Sequence, residues 1–219
     1  MDSIGIFGGT FDPIHNGHLR TALEVLEGLS LSKVHFIPSS QSPLRSESTA
    51  PNDVRLRMVR AAAEVETRFI VDTREMDRGG PSYTFDTLTG LRDENKEKSL
   101  CLLLGMDAFL SLPKWHRWKE LIDLAHIVVA HRPGWKVPTA GELGVFVRKR
   151  LAHGPQDIVT RCEGNLFILP VTQLEVSATK LRSSIRLGLD PAYLVPKSVR
   201  AIIKETECYA ERSTPNPND

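Results

Sequence analysis

A succession of short, continuous apolar runs, separated by amphipathic segments, limits the possible folds of this chain most strongly. The runs lack the alternation of half-buried strands, which indicates strands buried on both faces, as in a parallel sheet covered by helices. We therefore predict an α/β fold built on a doubly wound parallel sheet. The six predicted strands are Ser3–Phe7, Val34–Ile37, Phe69–Val71, Leu100–Leu104, Ile127–Ala130 and Leu166–Leu169.

Helical periodicity lies between the predicted strands. Leucines and alanines recur every three or four positions after Gly17, which is typical of a helix that packs one face on a sheet. The length of 219 residues favours one domain, predicted over 1–212, with a disordered tail over 213–219. The predicted helices are Gly17–Leu29, Asp53–Val65, Thr84–Asp93, Lys119–Leu124 and Gly144–Leu151.

The composition, the cysteine spacing and the length of the apolar stretches limit the class of protein to which this chain can belong. A net charge of +1 and 41% apolar residues argue against a disordered chain and give no reason to expect a nucleic-acid partner. Three separated cysteines without a CxxC pair predict reduced thiols, mostly in the core, rather than disulfides or zinc. No apolar stretch approaches the ~20 residues of a membrane helix, so we expect a cytoplasmic protein without a membrane partner.

The stretch GIFGGTFDPIHNGH, from Gly5 to His18, follows the first predicted strand. In doubly wound folds this position is the usual phosphate site. Gly8 and Gly9 would let backbone N–H groups approach a phosphate, and the helix that follows directs its positive end to the same place. His15 and His18 add ring nitrogens. A single buried histidine is more often structural, but the pair in this glycine context predicts a phosphate site.

Two common phosphate motifs do not fit this stretch, since it lacks both the Lys-Ser/Thr ending of a P-loop and the G-x-G-x-x-G spacing. The element His15-Asn16-Gly17-His18 instead resembles the (T/H)-x-G-H signature of the nucleotidylyltransferase superfamily. The resemblance implies a Rossmann-like fold of that type. It also implies that Gly8, Gly9, Thr10 and Phe11 bind ATP.

The stretch GGPSYTFDTL, from Gly79 to Leu88, resembles the G-P-S-Y-T-x-D-T-L segment of the bacterial nicotinate mononucleotide adenylyltransferase family. This resemblance implies that the mononucleotide is hydrogen-bonded by Thr84 and by Ser82 or Tyr83, of which we choose Tyr83. The alternative is that Thr84 simply caps a helix.

The stretch LLLGMDAFLSLPKWHRWKEL, from Leu102 to Leu121, is similar to the same family's L-L-G-x-D…W segment. The resemblance implies that Gly105 and Asp107 contact ATP and that Trp115 stacks on the nicotinate ring. The alternative is that both tryptophans pack in the core, which we prefer for Trp118.

The stretch EVSATKLRSSIRLG, from Glu175 to Gly188, resembles the family's I-S-S-T-x-I-R motif, with Ala178 in place of its second serine. Ser177, Thr179 and Arg182 would bind the phosphates of ATP. Alternatively, Ser177 only caps the helix and Arg182 is solvated.

Two loops add arginines. The polar connection Ser39–Pro51 is either a mobile substrate loop or a plain surface loop. It contains Arg45, which the resemblance assigns to the mononucleotide, and Leu44, which stands where the family usually has histidine. Arg132, in the family-like R-P-G, would also lie near the mononucleotide, with a surface arginine as the alternative.

The resemblance implies the reaction of ATP with nicotinate mononucleotide to give nicotinate adenine dinucleotide and pyrophosphate. His15, His18 and Arg182 would be the catalytic residues, and Mg²⁺ would accompany ATP without a metal site on the protein. The alternatives are a pantetheine-phosphate adenylyltransferase, which typically lacks the S-Y-T-x-D-T and tryptophan segments, and a non-catalytic nucleotide-binding module. The sequence leaves a homo-oligomer and the choice between acid and amide mononucleotide open.

Overall fold

The sheet has six strands, all parallel, in the order β3-β2-β1-β4-β5-β6. A computed structural model describes residues 2–44, 48–131, 137–172 and 174–211, so the predicted tail lies outside the described residues. The doubly wound prediction is confirmed, and every predicted strand is present. The strands are β1 (Ser3–Gly9), β2 (Lys33–Pro38), β3 (Phe69–Val71), β4 (Ser99–Gly105), β5 (His126–His131) and β6 (Leu166–Pro170).

Helices join the strands. The α-helices are α1 (Asn16–Gly28), α2 (Asn52–Ala63), α3 (Arg74–Arg78), α4 (Thr84–Glu94), α5 (Met106–Ser111), α6 (Gly141–Arg150), α7 (Gln156–Val159), α8 (Ala178–Arg186) and α9 (Lys197–Thr206). Two short 3₁₀ helices span Leu112–Lys114 and Trp118–Asp123. The α-helix predicted at Lys119–Leu124 is therefore wrong in type. The chain is extended at Trp115 and left-handed at Arg117 (φ 53°), and the six residues Trp118–Asp123 that follow form a 3₁₀ helix, which is common in connections between longer elements.

Both faces of the sheet are buried. Along β1, Ile6 belongs to one apolar cluster, with Ile37 and Leu102, while the next residue, Phe7, belongs to the other, with Val34. Since neighbouring side chains of a strand point to opposite faces, both must be apolar. This arrangement explains why the strands read as continuous apolar runs.

The structure bears on the cysteines and on possible metal-binding or membrane-spanning segments. All three cysteines are free, and Cys101 is buried. Cys208 is half-buried and packs against the core, whereas Cys162 is half-buried in the connection before β6. The expectation that the thiols lie mostly in the core therefore holds for Cys101 and in part for Cys208. The described parts of the chain contain no group of three or more His, Cys, Asp or Glu that could hold a metal ion. They also contain no helix long and apolar enough to cross a membrane.

A crevice opens between β1 and β4, where the strand order reverses. The pairing of these two strands ends at Ile6 and Leu102. Beyond that point the tip of β1 pairs only with β2, up to Gly9, and the tip of β4 pairs only with β5, up to Gly105. Ligands of doubly wound sheets bind at such a point, outside the carboxyl ends of the strands.

Candidate active site

His15 and His18 cap the first helix for each other. The backbone N–H of His18 donates to Nδ1 of His15 (3.3 Å), and the backbone N–H of His15 donates to Nδ1 of His18 (3.2 Å). This is the reciprocal geometry of a capping box, made here by two imidazoles. Because a backbone N–H can only donate, each Nδ1 must carry a lone pair, and each neutral ring carries its hydrogen on Nε2. The capping bonds therefore occupy Nδ1 of each ring and leave the Nε2–H group of each ring as the donor.

The two imidazoles stack, with ring centroids 3.6 Å apart and planes at 18°. His15 is only 6% exposed, and this burial lowers its pKa from 6.5 to about 4. Protonating both rings would also place two charges at stacking distance, which costs about 4–5 kcal/mol at an effective dielectric constant near 20. At neutral pH His15 is therefore a neutral hydrogen-bond donor.

Gly17 leaves room for the ring of His15. A Cβ at this position would lie 3.0 Å from Nδ1 and 3.1 Å from Cε1 of His15, and 3.4 Å from the carbonyl oxygen of Leu174. The last contact also shows that the segment before α8 passes beside the start of α1. The glycine of the H-x-G-H element thus has a packing reason that the sequence alone did not reveal.

Glycines at the tips of β1 and β4 have no close neighbours among the described residues. A Cβ on Gly8 or on Gly105 would meet no atom of these residues within 4 Å, and neither glycine has a positive φ. Packing and backbone conformation therefore do not require glycine at either position, whereas the close approach of a ligand would. Gly9 differs, since its Cβ would lie 3.0 Å from the ring of Phe11.

The loop Thr10–His15, here called the motif loop, joins β1 to α1. Phe11 has a φ of 48°, and its buried ring packs against Phe7, Phe36 and the edge of His18. The ring of Phe11 therefore belongs to the core, and only its backbone remains for a ligand. The carbonyl of Thr10 is already bonded by Arg55 (2.6 Å).

The start of α8 lies against the motif loop. Arg182 donates from Nη1 to the carbonyl oxygen of Asp12 (2.8 Å), so the alternative of a solvated arginine is wrong. Ser177 is the N-cap residue of α8, yet its side chain makes no capping bond, so the alternative that it only caps is also wrong. Thr179 is exposed in the first turn. The structure thus brings these predicted phosphate ligands to the same edge of the sheet as His15.

Asp107 lies in the first turn of α5, directly after the tip of β4, and it is exposed. Gly105 is the N-cap residue of the same helix. Both predicted nucleotide ligands therefore border the crevice between β1 and β4.

Three of the predicted mononucleotide residues, Tyr83, Thr84 and Trp115, lie on two described segments that meet. Tyr83 is the N-cap residue of α4 and Thr84 is its first helical residue, and this end has no side-chain cap, so the capping interpretation of Thr84 is wrong. The ring of Tyr83 contacts that of His116, with centroids 4.7 Å apart. His116 follows Trp115 directly, so the ring contact joins the start of α4 to the tryptophan segment.

The two tryptophans differ in burial. Trp115 is half-buried, and its Nε1 lies 3.4 Å from Oγ of Ser111. Trp118 is 8% exposed and packs against Phe146, which confirms it as a core residue. Trp115 packs against the same apolar cluster as Trp118 but stays half-buried, so the core alternative holds for Trp115 only in part. The remaining predicted ligands, Arg45 and Arg132, lie outside the described residues.

Three buried polar residues near the site were missed from the sequence: Asp12, Arg55 and Tyr209. Arg55 carried a signal, because it shares the helical stripe of Met58, Val59 and Ala62, which are all buried. Burial lowers the pKa of its guanidinium. Burial also raises the pKa of Tyr209, which keeps its hydroxyl a donor. No local pattern points to Tyr209, which meets Asp12 from 197 positions away.

A concavity of about 440 Å³ lies elsewhere, between the 3₁₀ helix at Trp118 and α6. None of the predicted site residues lines it. The proposed site is instead the open crevice at the carboxyl edge of the sheet.

Comparisons with known proteins concern the whole sequence and the fold. A cytidylyltransferase-like family model matches residues 6–184. The chain is 46% identical over 209 residues to the "Probable nicotinate-nucleotide adenylyltransferase" of Methylococcus capsulatus, covering 95% of this chain and 100% of the relative. It is 42% identical to the protein of the same name from Aeromonas hydrophila, covering 94% of this chain and 96% of the relative.

Solved structures share the fold. That of Plasmodium falciparum nicotinic acid mononucleotide adenylyltransferase complexed with NaAD has a TM-score of 0.73 at 14% identity, covering 95% of this chain and 98% of the other. The same enzyme complexed with APC gives a TM-score of 0.70 at 14% identity, again over 95% and 98%. At such low identity these likenesses concern the fold, whereas the sequence similarity to the two curated relatives covers 95% and 94% of this chain. The chain thus belongs to the nicotinate-nucleotide adenylyltransferase family of nucleotidyltransferases.

Proposed function

We propose that this chain transfers the adenylyl group of ATP to nicotinate mononucleotide, giving nicotinate adenine dinucleotide and pyrophosphate, in NAD biosynthesis. The observation that carries the proposal is the 46% identity to the Methylococcus capsulatus relative over that protein's full length. The crevice supports it independently, since it combines two open glycine positions with paired imidazole donors.

On the ATP side, the nucleotide lies in the crevice between β1 and β4. Gly8, Gly9, Thr10 and Phe11 offer backbone to the phosphates, and Gly105 leaves room for close approach. Asp107 contacts the nucleotide from the start of α5.

The phosphates are held by donors from α1 and α8. His15 and His18 present Nε2–H groups to the α- and β-phosphates, and Arg182 binds the leaving pyrophosphate together with Ser177 and Thr179. Two of the first three amides of α1 are engaged inside the protein, that of Asn16 with Leu194 and that of His18 with His15. The imidazoles therefore contribute more of the anion binding here than the helix amides do.

On the mononucleotide side, Tyr83 and Thr84 hydrogen-bond the ligand from the start of α4. Trp115 stacks on the pyridine ring. Arg45 and Arg132 add positive charge for the phosphate or the carboxylate.

The chemistry is a single in-line displacement. A phosphate oxygen of the mononucleotide forms a bond to the α-phosphorus as the bond from that phosphorus to the β-phosphate bridging oxygen breaks, and pyrophosphate leaves with the electron pair. The attacking oxygen is already ionised, so the protein supplies neither a nucleophile nor a general base. Catalysis therefore depends on positioning and on donors that meet the developing charge.

Nucleotidyltransferases that use ATP generally need a divalent metal ion, and we propose Mg²⁺. The described residues contain no group of three or more His, Cys, Asp or Glu that could hold an ion alone. This donor set fits an ion bound mainly by phosphate oxygens and water, which would neutralise part of the triphosphate charge.

The substrates are two small molecules, so the reaction needs neither nucleic acid nor a membrane. We propose that it takes place in the cytoplasm, where ATP is supplied.

Pyrophosphate release tests the proposal. The protein with ATP and Mg²⁺ is assayed in parallel with nicotinate mononucleotide and nicotinamide mononucleotide. We expect release with the acid, and comparable release with the amide would make the enzyme dual-specific. Absence of release with both would contradict the proposal.

The His18→Ala variant tests the assigned donor. We expect kcat to fall by about 100-fold, the magnitude typical of a lost charge-stabilising donor. The matched control is His153→Ala, since His153 is an exposed histidine that precedes α7. Near-normal turnover of folded His18→Ala would remove this residue from catalysis.

A further inference from the structure

Arg55 is a fully buried guanidinium that joins two loops. From α2 it donates through Nη1 to the carbonyl of Thr10 (2.6 Å) and through Nη2 to the carbonyls of Ser39 (2.7 Å) and Ser40 (3.3 Å). It also bonds Oδ1 of Asn52. The planar fork of arginine can serve several acceptors at once, which a lysine cannot do in the same geometry. One side chain thus ties the motif loop to the end of β2.

Asp12 makes the complementary connection from the motif loop. Its carboxylate, on a residue only 5% exposed, accepts bonds from the backbone N–H groups of Thr49 (2.8 Å) and Ala50 (3.1 Å). The hydroxyl of Tyr209, beyond α9, donates to the same carboxylate (2.7 Å). Asp12 and Arg55 therefore attach both flanks of the β2–α2 connection to the motif loop.

This set of polar contacts extends to both sides of the proposed site. At one end, Arg182 donates to the carbonyl of Asp12 (2.8 Å). At the other end, the N–H of Ser40 donates to Oγ of Ser82 (2.9 Å), and the N–H of Ser82 donates to the carbonyl of Gln41 (2.8 Å). Ser82 precedes Tyr83, so hydrogen bonds link the phosphate side to the mononucleotide side.

Stability alone is a weak reason for such a network. Burying a carboxylate and a guanidinium costs desolvation energy, and well-packed apolar residues often stabilise a protein as well or better. A buried polar network instead fixes the relative geometry of the segments that it joins. Two of the three guanidinium nitrogens of Arg55 donate hydrogen bonds, and only its buried Nε has no partner among the described residues. Here the segments joined are those that hold the two reactants.

We propose that Arg55, Asp12 and Tyr209 are positioning residues, which hold the ATP side of the site in register with the mononucleotide side. This inference rests on the proposed adenylyl transfer. In-line attack requires the attacking oxygen and the α-phosphorus to be close and aligned, and a displacement of about 1 Å can cost about 100-fold in rate. None of the three residues needs to touch a substrate to act in this way.

The kinetic test compares Tyr209→Phe and Arg55→Lys with Arg57→Lys, a control on the same helix whose side chain bonds Glu205 at the surface. Reaction rates are measured at a temperature well below the thermal unfolding midpoint, Tm, of each variant. We expect kcat to fall about tenfold or more in both test variants, with each KM within about threefold of wild type. The control should keep its kcat. If the three residues had a purely structural role, the test variants would have a lower Tm but an unchanged kcat. That result would overturn the proposal.

Amide exchange provides a readout that does not depend on activity. Tyr209→Phe removes one donor to Asp12, so the amides of Thr49 and Ala50 should exchange about tenfold faster than in the wild type. If these two amides exchanged at the same rate in Tyr209→Phe as in the wild type, the positioning role would be overturned. This readout does not depend on whether Arg55→Lys folds. If the wild type showed no turnover, the proposed function would fail, while the exchange result would still decide the inference about these residues.

Discussion

Replacing Gly17 by alanine has two opposite effects. It favours the helix α1, but it displaces the ring of His15 in the proposed site. Within a helix, alanine is more favourable than glycine by about 0.5–1 kcal/mol. At this position the new Cβ would lie 3.0 Å from Nδ1 of His15, whereas unstrained contacts between heavy atoms lie at about 3.5 Å or more. The ring of His15 must therefore move by a few tenths of an ångström.

That movement acts on a capping bond that is already 3.3 Å long, from the N–H of His18 to Nδ1 of His15. Losing such a cap costs about 0.5–2 kcal/mol, which cancels or exceeds the gain in helix propensity. The Nε2–H donor moves with the ring, and we expect kcat to fall about 10–100-fold. Thermal unfolding and pyrophosphate release measure the two effects separately.

Gly90→Ala is the matched control. Gly90 lies inside α4, and its Cβ would make only an ordinary contact, 3.5 Å from Nη1 of Arg74. We expect this variant to gain about 0.5–1 kcal/mol, or about 1–4 °C in Tm, with kcat unchanged. If Gly17→Ala behaved like Gly90→Ala, with a higher Tm and full activity, the packing argument for Gly17 would be refuted.

Further predictions concern the open crevice, the buried imidazole and the two tryptophans. Gly8→Ala should leave Tm unchanged, because its Cβ would meet no atom of the described residues within 4 Å, but should raise the KM for ATP about tenfold; an unchanged KM would mean that no ligand approaches there. The folded-state pKa of His15 is lowered from 6.5 to about 4, so the unfolded chain binds more protons between these values and stability falls as pH drops from 6.5 to 4. Relative to His15→Asn, which keeps a good N-cap residue, the wild type should lose about 3 kcal/mol more over this range in denaturant titrations, and equal losses would contradict the shift. Trp115→Ala should raise the KM for nicotinate mononucleotide about tenfold with little change in Tm, whereas Trp118→Ala should lose about 3–5 kcal/mol of stability; the reverse pattern would make Trp115 the core residue.

The fold was predictable from the sequence because a strand that is buried on both faces is a continuous run of apolar residues. The apolar run of β4, Ser99–Gly105, is almost continuous, and all six strands carry enough of this signal to be found. The short helices α3, α5 and α7 were not predicted, because four to six residues cannot display a helical period. The helix α9 also went unnoticed, although Val199 and Ile203 lie one turn apart in its buried face.

The site was predictable where its residues are close in sequence. His15 and His18 share one turn of helix, so their pairing follows from their spacing. The buried network around Asp12 depends instead on a tyrosine 197 positions away, and no local pattern encodes such a contact. The open space beside Gly8 is likewise a property of how β1 and β4 diverge, which only the folded sheet determines.

The central claim is a single in-line displacement at the α-phosphorus, with no covalent adenylyl-enzyme intermediate. It is tested most directly by supplying one diastereomer of ATP carrying sulfur on the α-phosphate, together with nicotinate mononucleotide and Mg²⁺, and determining the configuration at phosphorus in the dinucleotide product. One displacement predicts a product with inverted configuration. Retention would require two successive displacements and a protein nucleophile, and would contradict the account.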